Sequence, residues 1–309
     1  MVKVGILGSD TLLAGEIIRI LINHPETELI SLYAPALMGR SVSTVHHGLI
    51  GETAINFTDK INLDEIDFLI IAEESELSQT ILKKFSELEN LKIGLSNEIS
   101  REKCLAIDFE TGLSEINRKA LVRGATAAFI PSPIVVPVLI ALVPLANYLL
   151  LNSDIKIEES FPSDISQNID LDKEINFLNQ ELKKVQSSFN GIIQLSVTPD
   201  QKEERTGYTK ISFECALPID EIEKIYDQIY DDHNFTFITG NEPSAEEVEG
   251  TQKTLLKISK PEPGILQIEI IIDARMRGGA GDMVHLMNLF FGLHEKTGLT
   301  LKPSRYKKK

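Results

Sequence analysis

Short apolar runs alternate with helical patterns through the first half of the chain. Val2 to Leu7 predicts a buried strand, and Leu12 to Ile22 predicts a helix because its apolar residues recur at helical spacing. Further strands are predicted at Leu29 to Tyr33, Phe68 to Ala72, Leu91 to Leu95, Leu105 to Phe109 and Thr126 to Ile130. Strands that alternate with helices are typical of a doubly wound α/β parallel sheet, whose ligand crevice lies at the carboxyl ends of the strands.

The pattern changes after about residue 151, where longer strands alternate between polar and apolar positions. Gly207 to Leu217 has the period of two that is typical of a half-buried strand. Other strands and two helices are predicted around it, at Ile155 to Glu158, Asp170 to Gln186, Ile192 to Thr198, Ile219 to Tyr230, Phe235 to Ile238, Thr254 to Ile258 and Ile265 to Ile272. This half is therefore predicted to be an α+β domain.

These patterns predict two domains. Residues 1–150 would form a nucleotide-binding-type domain, completed by a C-terminal helix within residues 278–309. Residues 151–277 would form the α+β domain. Its strands suggest more apolar surface than one helix layer covers, so we predict self-association through it, as a homodimer or a higher homo-oligomer.

Composition and charge limit the classes of partner that this protein is expected to bind. The formal net charge of −15 argues against nucleic acid and against an anionic membrane, but leaves a small anionic ligand open. The apolar run from Ile134 to Leu151 contains Pro137 and Pro144, which favours a buried helix over a membrane span. Cys104 and Cys215 are far apart and are interpreted as buried structural thiols. We expect a cytoplasmic protein without a disulfide framework, and no metal site is predicted.

A glycine-containing loop from Gly5 to Gly15 joins the first strand to the first helix. Backbone N–H groups at such a turn can bind a pyrophosphate. The candidate cofactor contacts in this loop are Gly5, Gly8, Ser9, Asp10 and Thr11. The alternative is that Gly8 makes a tight turn and Asp10 or Thr11 caps the helix, with no nucleotide bound.

The end of the chain carries the most specific signature. The segment from Gly278 to Gly298 has a glycine-rich turn, an apolar helix and a Gly-Leu-X-Glu-X-Thr-Gly-Leu ending. It resembles the C-terminal helix of N-acetyl-gamma-glutamyl-phosphate reductases, which belong to the semialdehyde dehydrogenase superfamily. Val42 to His46 and Pro243 to Gly250 resemble further pieces of these enzymes. The resemblance implies a Rossmann-like NAD(P)-binding-type domain and a dimerisation-type domain.

The same resemblance implies a catalytic cysteine in an Asn-Pro-Gly-Cys stretch before an Ala-Leu-X-Pro-Leu helix. The matching stretch here is Ile130-Pro-Ser-Pro133, so Pro133 takes the place of the nucleophile and Ser132 is its neighbour. The stretch from Ile169 to Ile175 matches the part of the family that carries the acid/base histidine, but it contains no histidine. An Asp-Asn pair of the family corresponds to Asp273-Ala274. The reductase site of the family is therefore replaced at several points.

The residues at the family's cofactor-binding positions also differ from those that the resemblance implies. The family's loop glycines correspond to Gly8, Thr11 and Ala14, and its 2′-phosphate-binding cation corresponds to Pro35. Arg40 is a nearby substitute or an ordinary exposed arginine. We expect no bound cofactor. NAD or NADP remains open, and NAD is favoured because it lacks the 2′-phosphate.

Three functional hypotheses follow. The first is a non-catalytic relative of the reductases that acts by binding or assembly, and the second is an NAD(P)-dependent oxidoreductase with non-standard residues. The third is a different enzyme that uses Ser132, Asp200 or Arg277. The turn containing Gly279 and Gly281 is a candidate anion site, although its glycines also permit close helix packing.

Overall fold

The computed structural model describes residues 1–88, 90–99, 107–167 and 169–304, which form two compact units. Unit 1 comprises Met1–Pro131 and Gly279–Thr300. Unit 2 comprises Ser132–Gly278 and the segment that begins at Leu301. The strand predicted to begin at Leu105 starts outside the described residues, and Cys104 also lies outside them.

Unit 1 is built on a parallel sheet. Its elements up to residue 131 are β1 (Val2–Leu7), α1 (Leu12–Leu21), β2 (Thr27–Tyr33), β3 (Phe68–Ile71), α2 (Glu76–Lys83), β4 (Lys92–Leu95), β5 (Glu110–Thr111), α3 (Ser114–Arg123) and β6 (Ala127–Phe129). The strand order is β2-β1-β3-β4-β6-β5, and every neighbouring pair is parallel. The predicted doubly wound α/β class is therefore confirmed, with the change of direction between β1 and β3.

Apolar patterning accounts for most of unit 1, but it misses α3. All four residues of β3 are buried, and α1 buries one face that includes Ile17, Ile18 and Leu21. In α3 the buried residues are Ser114, Glu115 and Leu121, so the helix has almost no apolar stripe that could predict it from sequence.

Unit 2 contains a mixed sheet with helices. Its elements are α4 (Val135–Asn147), β7 (Ile155–Pro162), α5 (Ser163–Ser166), α6 (Leu171–Val185), β8 (Ile193–Asp200), β9 (Thr206–Glu214), α7 (Ile219–Tyr230), β10 (Thr236–Ile238), α8 (Ala245–Val248), β11 (Thr254–Glu262) and β12 (Ile265–Asp273). The strand order is β10-β11-β12-β9-β7-β8, with parallel pairs at both edges and antiparallel pairs between them. This is the predicted second, α+β type of architecture.

The chain crosses between units at points that differ from the predicted ones. α4 packs against α6, α7, β9 and β12, so it belongs to unit 2, whereas the predicted division at residue 150 assigned it to the first domain. The last helix, α9 (Ala280–Phe290), packs against α1, α3 and β4 in unit 1. The chain leaves unit 1 after Thr300, and Ser304 then donates through its amide and its hydroxyl to Glu249 in unit 2, each at 2.9 Å.

The long apolar run forms a buried helix. α4 is buried from Val135 to Ala146. Because Pro144 has no N–H, the carbonyl of Ile140 loses its helical partner. The Tyr230 hydroxyl donates to that carbonyl at 2.5 Å. In the part of the chain that the structure describes, no helix is long and apolar enough to cross a membrane.

The outward face of the unit 2 sheet is mostly polar. Lys156 and Glu158 form an ion pair at 2.9 Å on β7, and the Tyr208 hydroxyl on β9 donates to Glu269 on β12 at 2.5 Å. The premise of surplus apolar surface on these strands is therefore wrong, since alternate side chains face outwards as charged and polar groups. Self-association itself stays a prediction, which would now require a polar interface.

We expect Tyr230→Phe to lower the free energy of unfolding by about 1–3 kcal/mol, because it leaves the buried Ile140 carbonyl without a donor. The loss should shrink in a Pro144→Ala background, where residue 144 regains its N–H. Urea unfolding of the four proteins of this double-mutant cycle measures the coupling. Tyr148→Phe is the matched control, since its hydroxyl bonds Gln228 at an exposed site. Equal losses in both backgrounds would contradict this account of Tyr230.

Candidate functional site

A pocket opens at the carboxyl ends of the unit 1 strands. Its volume is about 540 Å³, which is within the usual range for small-molecule sites. The residues that line it are Gly8, Asp10, Tyr33, Ala34, Pro35, Ala36, Glu73, Ser75, Glu76, Leu77 and Thr80. They follow β1, β2 and β3, so the pocket lies at the change of direction where doubly wound sheets bind ligands.

The loop after β1 is a tight turn closed by the first helix cap. Gly8 has φ +72°, and a Cβ there would lie 2.6 Å from the Cβ of Glu73, so only glycine fits. Thr11 is the N-cap of α1. Its side chain accepts from the Ala14 amide at 3.2 Å and donates to the Gly8 carbonyl at 2.9 Å. The capping interpretation therefore applies to Thr11 rather than to Asp10.

His46 closes one side of this loop. Its Nε2 lies 2.8 Å from the carbonyl oxygen of Ser9, and a Cβ on Gly15 would meet the imidazole ring. The Ser9 amide donates to Tyr33 at 3.2 Å, and the Thr11 amide donates to Gly8 at 3.1 Å. Ser9, Thr11 and Ala14 thus already direct their amides to acceptors within the protein.

The pocket has an acidic lining. Asp10, Glu73 and Glu76 contribute carboxylates, and the described lining residues include no lysine or arginine. Burial raises the pKa of Glu98 at the end of β4, and the negative charge of Glu73 raises it further. Arg40, the sequence candidate for a phosphate-binding cation, is exposed and does not line the pocket. The sequence therefore identified the loop but missed the glutamates that follow β3.

A second group of candidate residues lies in unit 2, at the turn before α4. The Ser132 hydroxyl donates to Glu174 on α6 at 3.0 Å. Gly278 has φ +69°, and a Cβ there would lie 2.5 Å from Pro133 Cα and 2.8 Å from the Ser132 carbonyl carbon. The turn that holds Ser132 and Pro133 is therefore packed directly against the backbone of Gly278.

Asp273 has a structural role at the start of the glycine-rich turn. Its fully buried carboxylate accepts from Arg205 Nε at 2.8 Å, from the Gly250 amide at 2.6 Å and from the Arg275 amide at 2.8 Å. These charge-assisted bonds fix the end of β12 and the segment that leads to Gly278. Asp273, which corresponds to the aspartate of the family's Asp-Asn pair, therefore already accepts several hydrogen bonds from within the protein.

The remaining sequence candidates lie on several different elements. Asp200 ends β8 and accepts from the amides of Lys202 and Glu203, as a turn-forming aspartate does. Cys215 is buried, in agreement with a structural thiol. Gly279 is the N-cap of α9, and Gly281 is buried within that helix. Arg277 is fully buried.

Comparison with known proteins gives the family. Residues 3–123 match the model of the semialdehyde dehydrogenase NAD-binding domain. An N-acetyl-gamma-glutamyl-phosphate reductase of Parabacteroides distasonis is 33% identical over 326 residues, covering 99% of this chain and 100% of the relative. A probable aspartate-semialdehyde dehydrogenase from Pseudomonas aeruginosa has a TM-score of 0.69 at 12% identity, covering 94% of this chain and 98% of its own.

An aspartate-semialdehyde dehydrogenase with NADP from Candida albicans also has a TM-score of 0.69, at 14% identity, with 94% and 99% covered. At such low identity these two structures establish the fold alone. The chain belongs to the semialdehyde dehydrogenase family. The resemblance seen in the sequence is thereby confirmed, and the pocket of unit 1 lies within the matched NAD-binding domain.

We expect Gly278→Ala to destabilise the protein more than Gly264→Ala. Both glycines have positive φ, at +69° and +83°, so both substitutions incur the cost of a left-handed residue, about 1–2 kcal/mol. Nothing lies within 4 Å of a Cβ on Gly264, whereas Gly278 faces Pro133. Overpacking should add about 1–3 kcal/mol at Gly278 only. Urea unfolding measures the loss of unfolding free energy in both variants. Equal losses would show that the turn at Pro133 can move to make room for the added methyl group.

Proposed function

We propose that this chain is a non-catalytic member of the semialdehyde dehydrogenase family, related to N-acetyl-gamma-glutamyl-phosphate reductases, and that it acts by binding or assembly. The observation that carries the proposal is Pro133 at the place of the family's nucleophilic cysteine. Reduction of an acyl phosphate through a thioester requires a thiolate. Neither a proline nor the neighbouring Ser132 hydroxyl provides one.

The surroundings of Pro133 support the same conclusion. The stretch that matches the family's acid/base histidine forms the beginning of α6, where Asp170 caps the helix and bonds the Lys173 amide at 3.1 Å. Ser132 is hydrogen bonded to Glu174 in the first turn of that helix. Loss of the nucleophile and of the base together favours an abandoned reaction over an altered one.

An NAD-dependent oxidoreductase with non-standard residues is the second candidate. The pocket of about 540 Å³ in the matched NAD-binding domain favours it. Carboxylates at this edge of a doubly wound sheet can accept hydrogen bonds from ribose hydroxyls. The lining of Asp10, Glu73 and Glu76 does not fit the phosphates of NADP, because like charges at short range repel. Of the two nucleotides, NAD is therefore the better fit.

We expect no reductase activity on N-acetylglutamyl phosphate. The assay is phosphate-dependent oxidation of the corresponding semialdehyde, followed as formation of NADPH or NADH. Turnover should stay below about 0.01 s⁻¹, about a thousandth of a median enzyme.

Pro133→Cys should not restore turnover, because the histidine and the cofactor contacts would still be missing. Pro133→Ser is the matched control, since it relaxes the turn in the same way without adding a thiol. Turnover by the native chain would refute the non-catalytic proposal. Turnover by the cysteine variant alone would show that the rest of the site is intact.

Weak nucleotide binding is a separate expectation. NADP should bind with a dissociation constant above about 1 mM, and NAD should bind more tightly if either is bound. The Ala14 amide already donates to the Thr11 hydroxyl, so it is not available to a phosphate. The negative charge of Asp10 in the pocket lining would repel a pyrophosphate. Calorimetry with both nucleotides measures this.

Thr11→Gly should free the Ala14 amide and improve NAD binding, at a cost of about 0.3 kcal/mol in stability, because glycine is itself tolerated at an N-cap. Thr11→Ser, which keeps the capping oxygen, is the control and should bind as the native chain does. Micromolar NADP binding by the native chain would revive the oxidoreductase hypothesis.

A further inference from the structure

The pocket at the carboxyl ends of the unit 1 strands is large enough for an organic ligand. Its volume of about 540 Å³ lies within the range of small-molecule sites. Asp10 follows β1, Pro35 follows β2 and Glu73 follows β3, and all three residues line this one cavity. A single bound molecule can therefore contact residues from three separate connections of the sheet.

The carboxylates of this lining are open to a ligand. Within the described part of the chain, no hydrogen bond or ion pair reaches the carboxylate of Asp10, Glu73 or Glu76. The neighbouring Glu74 differs, because it does not line the pocket and accepts from the Gln79 side chain at 2.7 Å. Asp10, Glu73 and Glu76 are also exposed, so a ligand can reach them without any opening of the fold.

A buried hydroxyl group lies in the loop after β1. Ser9 is fully buried, and its Oγ has no hydrogen-bond partner among the described residues. Ser9 stands between Gly8 and Asp10, which both line the pocket. Its amide and its carbonyl group are already bonded to Tyr33 and His46. Buried polar atoms without a partner are rare and need a specific reason, and a ligand that donates hydrogen bonds at this loop is such a reason.

The charge of the lining favours a cation. Two helix N-termini meet the pocket, because α1 begins after the N-cap Thr11, next to Asp10, and α2 begins at Glu76. Each terminus carries about half a positive charge, so the two together balance about one of the three carboxylates. The described lining includes no lysine, arginine or histidine. The negative charge that remains attracts cations and repels anions.

The shape of the lining favours an organic cation over a metal ion. No group of three or more His, Cys, Asp or Glu side chains in the described ranges could hold a metal ion. A calcium ion would therefore lack the set of protein oxygens that it takes as ligands. Apolar residues line the same cavity, among them Ala34, Pro35 and Leu77. Separated carboxylates and an apolar wall match a ligand whose positive charges are separated by methylene groups.

We propose that the unit 1 pocket binds an aliphatic diamine in its doubly protonated form. Each ammonium group has three donors and no acceptor, so each end pairs with carboxylates of the lining. The methylene chain lies against the apolar residues, as the stem of a lysine side chain does on protein surfaces. The inference rests on the proposed function, because it gives a ligand to a chain that acts by binding and not by turnover.

The test is calorimetry of the full chain with cadaverine, a diamine with a five-carbon chain, at neutral pH. We expect a dissociation constant of about 1 mM or below in dilute buffer. Affinity should fall at least about threefold at about 0.15 M salt, because ions screen exposed carboxylates.

Two ligands of the same chain length are the controls. Pentylamine has one ammonium group and should bind at least about fivefold more weakly, and the uncharged pentanediol should not bind at the same concentrations. Equal binding of cadaverine and pentylamine would overturn the proposal. Binding of Mg²⁺ with the affinity of cadaverine would overturn it as well, because a metal site would then explain the carboxylates.

The two proposals made for this chain fail separately. Turnover of the semialdehyde by the native chain would refute the proposed function, whatever cadaverine does. Absence of cadaverine binding in a chain without turnover would refute the diamine site alone. Tight NAD binding that cadaverine does not displace would also refute the diamine site, because the pocket would then hold the dinucleotide.

Variants locate the site. Glu73→Gln and Glu76→Gln each remove one charge but keep the shape of the side chain, so both should fold. Each should weaken cadaverine binding by at least about fivefold. Glu28→Gln is the matched control, since it removes one exposed charge near the start of β2, at the opposite end of the same sheet. It should bind like the native chain. An equal loss in all three variants would show that net charge alone attracts the diamine, and would refute the site.

Discussion

The close approach of Gly278 to the turn before α4 is a tight constraint on the backbone of unit 2. A side chain at residue 278 would overlap Pro133, so the backbone that enters the glycine-rich turn and the backbone that enters α4 are fixed against each other. Asp273 holds the first of these segments through buried charge-assisted bonds. The Ser132–Glu174 bond connects the second segment to α6. The turn that holds Ser132 and Pro133 is thus held by contacts on both sides.

Sequence periodicity was sufficient for the fold class because most elements bury an apolar face. β1 and β3 are buried along most of their length, and α4 is buried throughout, so their runs are visible without a structure. α3 was missed because its buried positions are mostly polar. The boundary at residue 150 was placed too late because an apolar run does not reveal which sheet it will cover. The packing of α4 in unit 2 involves Tyr226 and Tyr230, which lie far along the chain. Their hydroxyl groups donate hydrogen bonds to carbonyl groups of α4.

The site was only partly accessible from sequence for a different reason. Motif positions identified Gly8, Thr11 and Pro133, since local spacing determines them. The carboxylates near both groups of candidate residues come from separate elements. Glu73 follows β3, far along the chain from Gly8, and Glu174 lies on α6, far along the chain from Ser132. Nothing in the spacing of these residues predicts that they lie close together.

Negative charge is common to both groups of candidate residues. The described lining of the unit 1 pocket is acidic, and in unit 2 the Ser132 hydroxyl donates to the Glu174 carboxylate. Carboxylates at these places attract a cation and repel a phosphate, because both effects follow from the same negative charge. The acidic lining of the pocket is independent of the residue at position 133. The preferred charge of a ligand can therefore be tested separately from turnover.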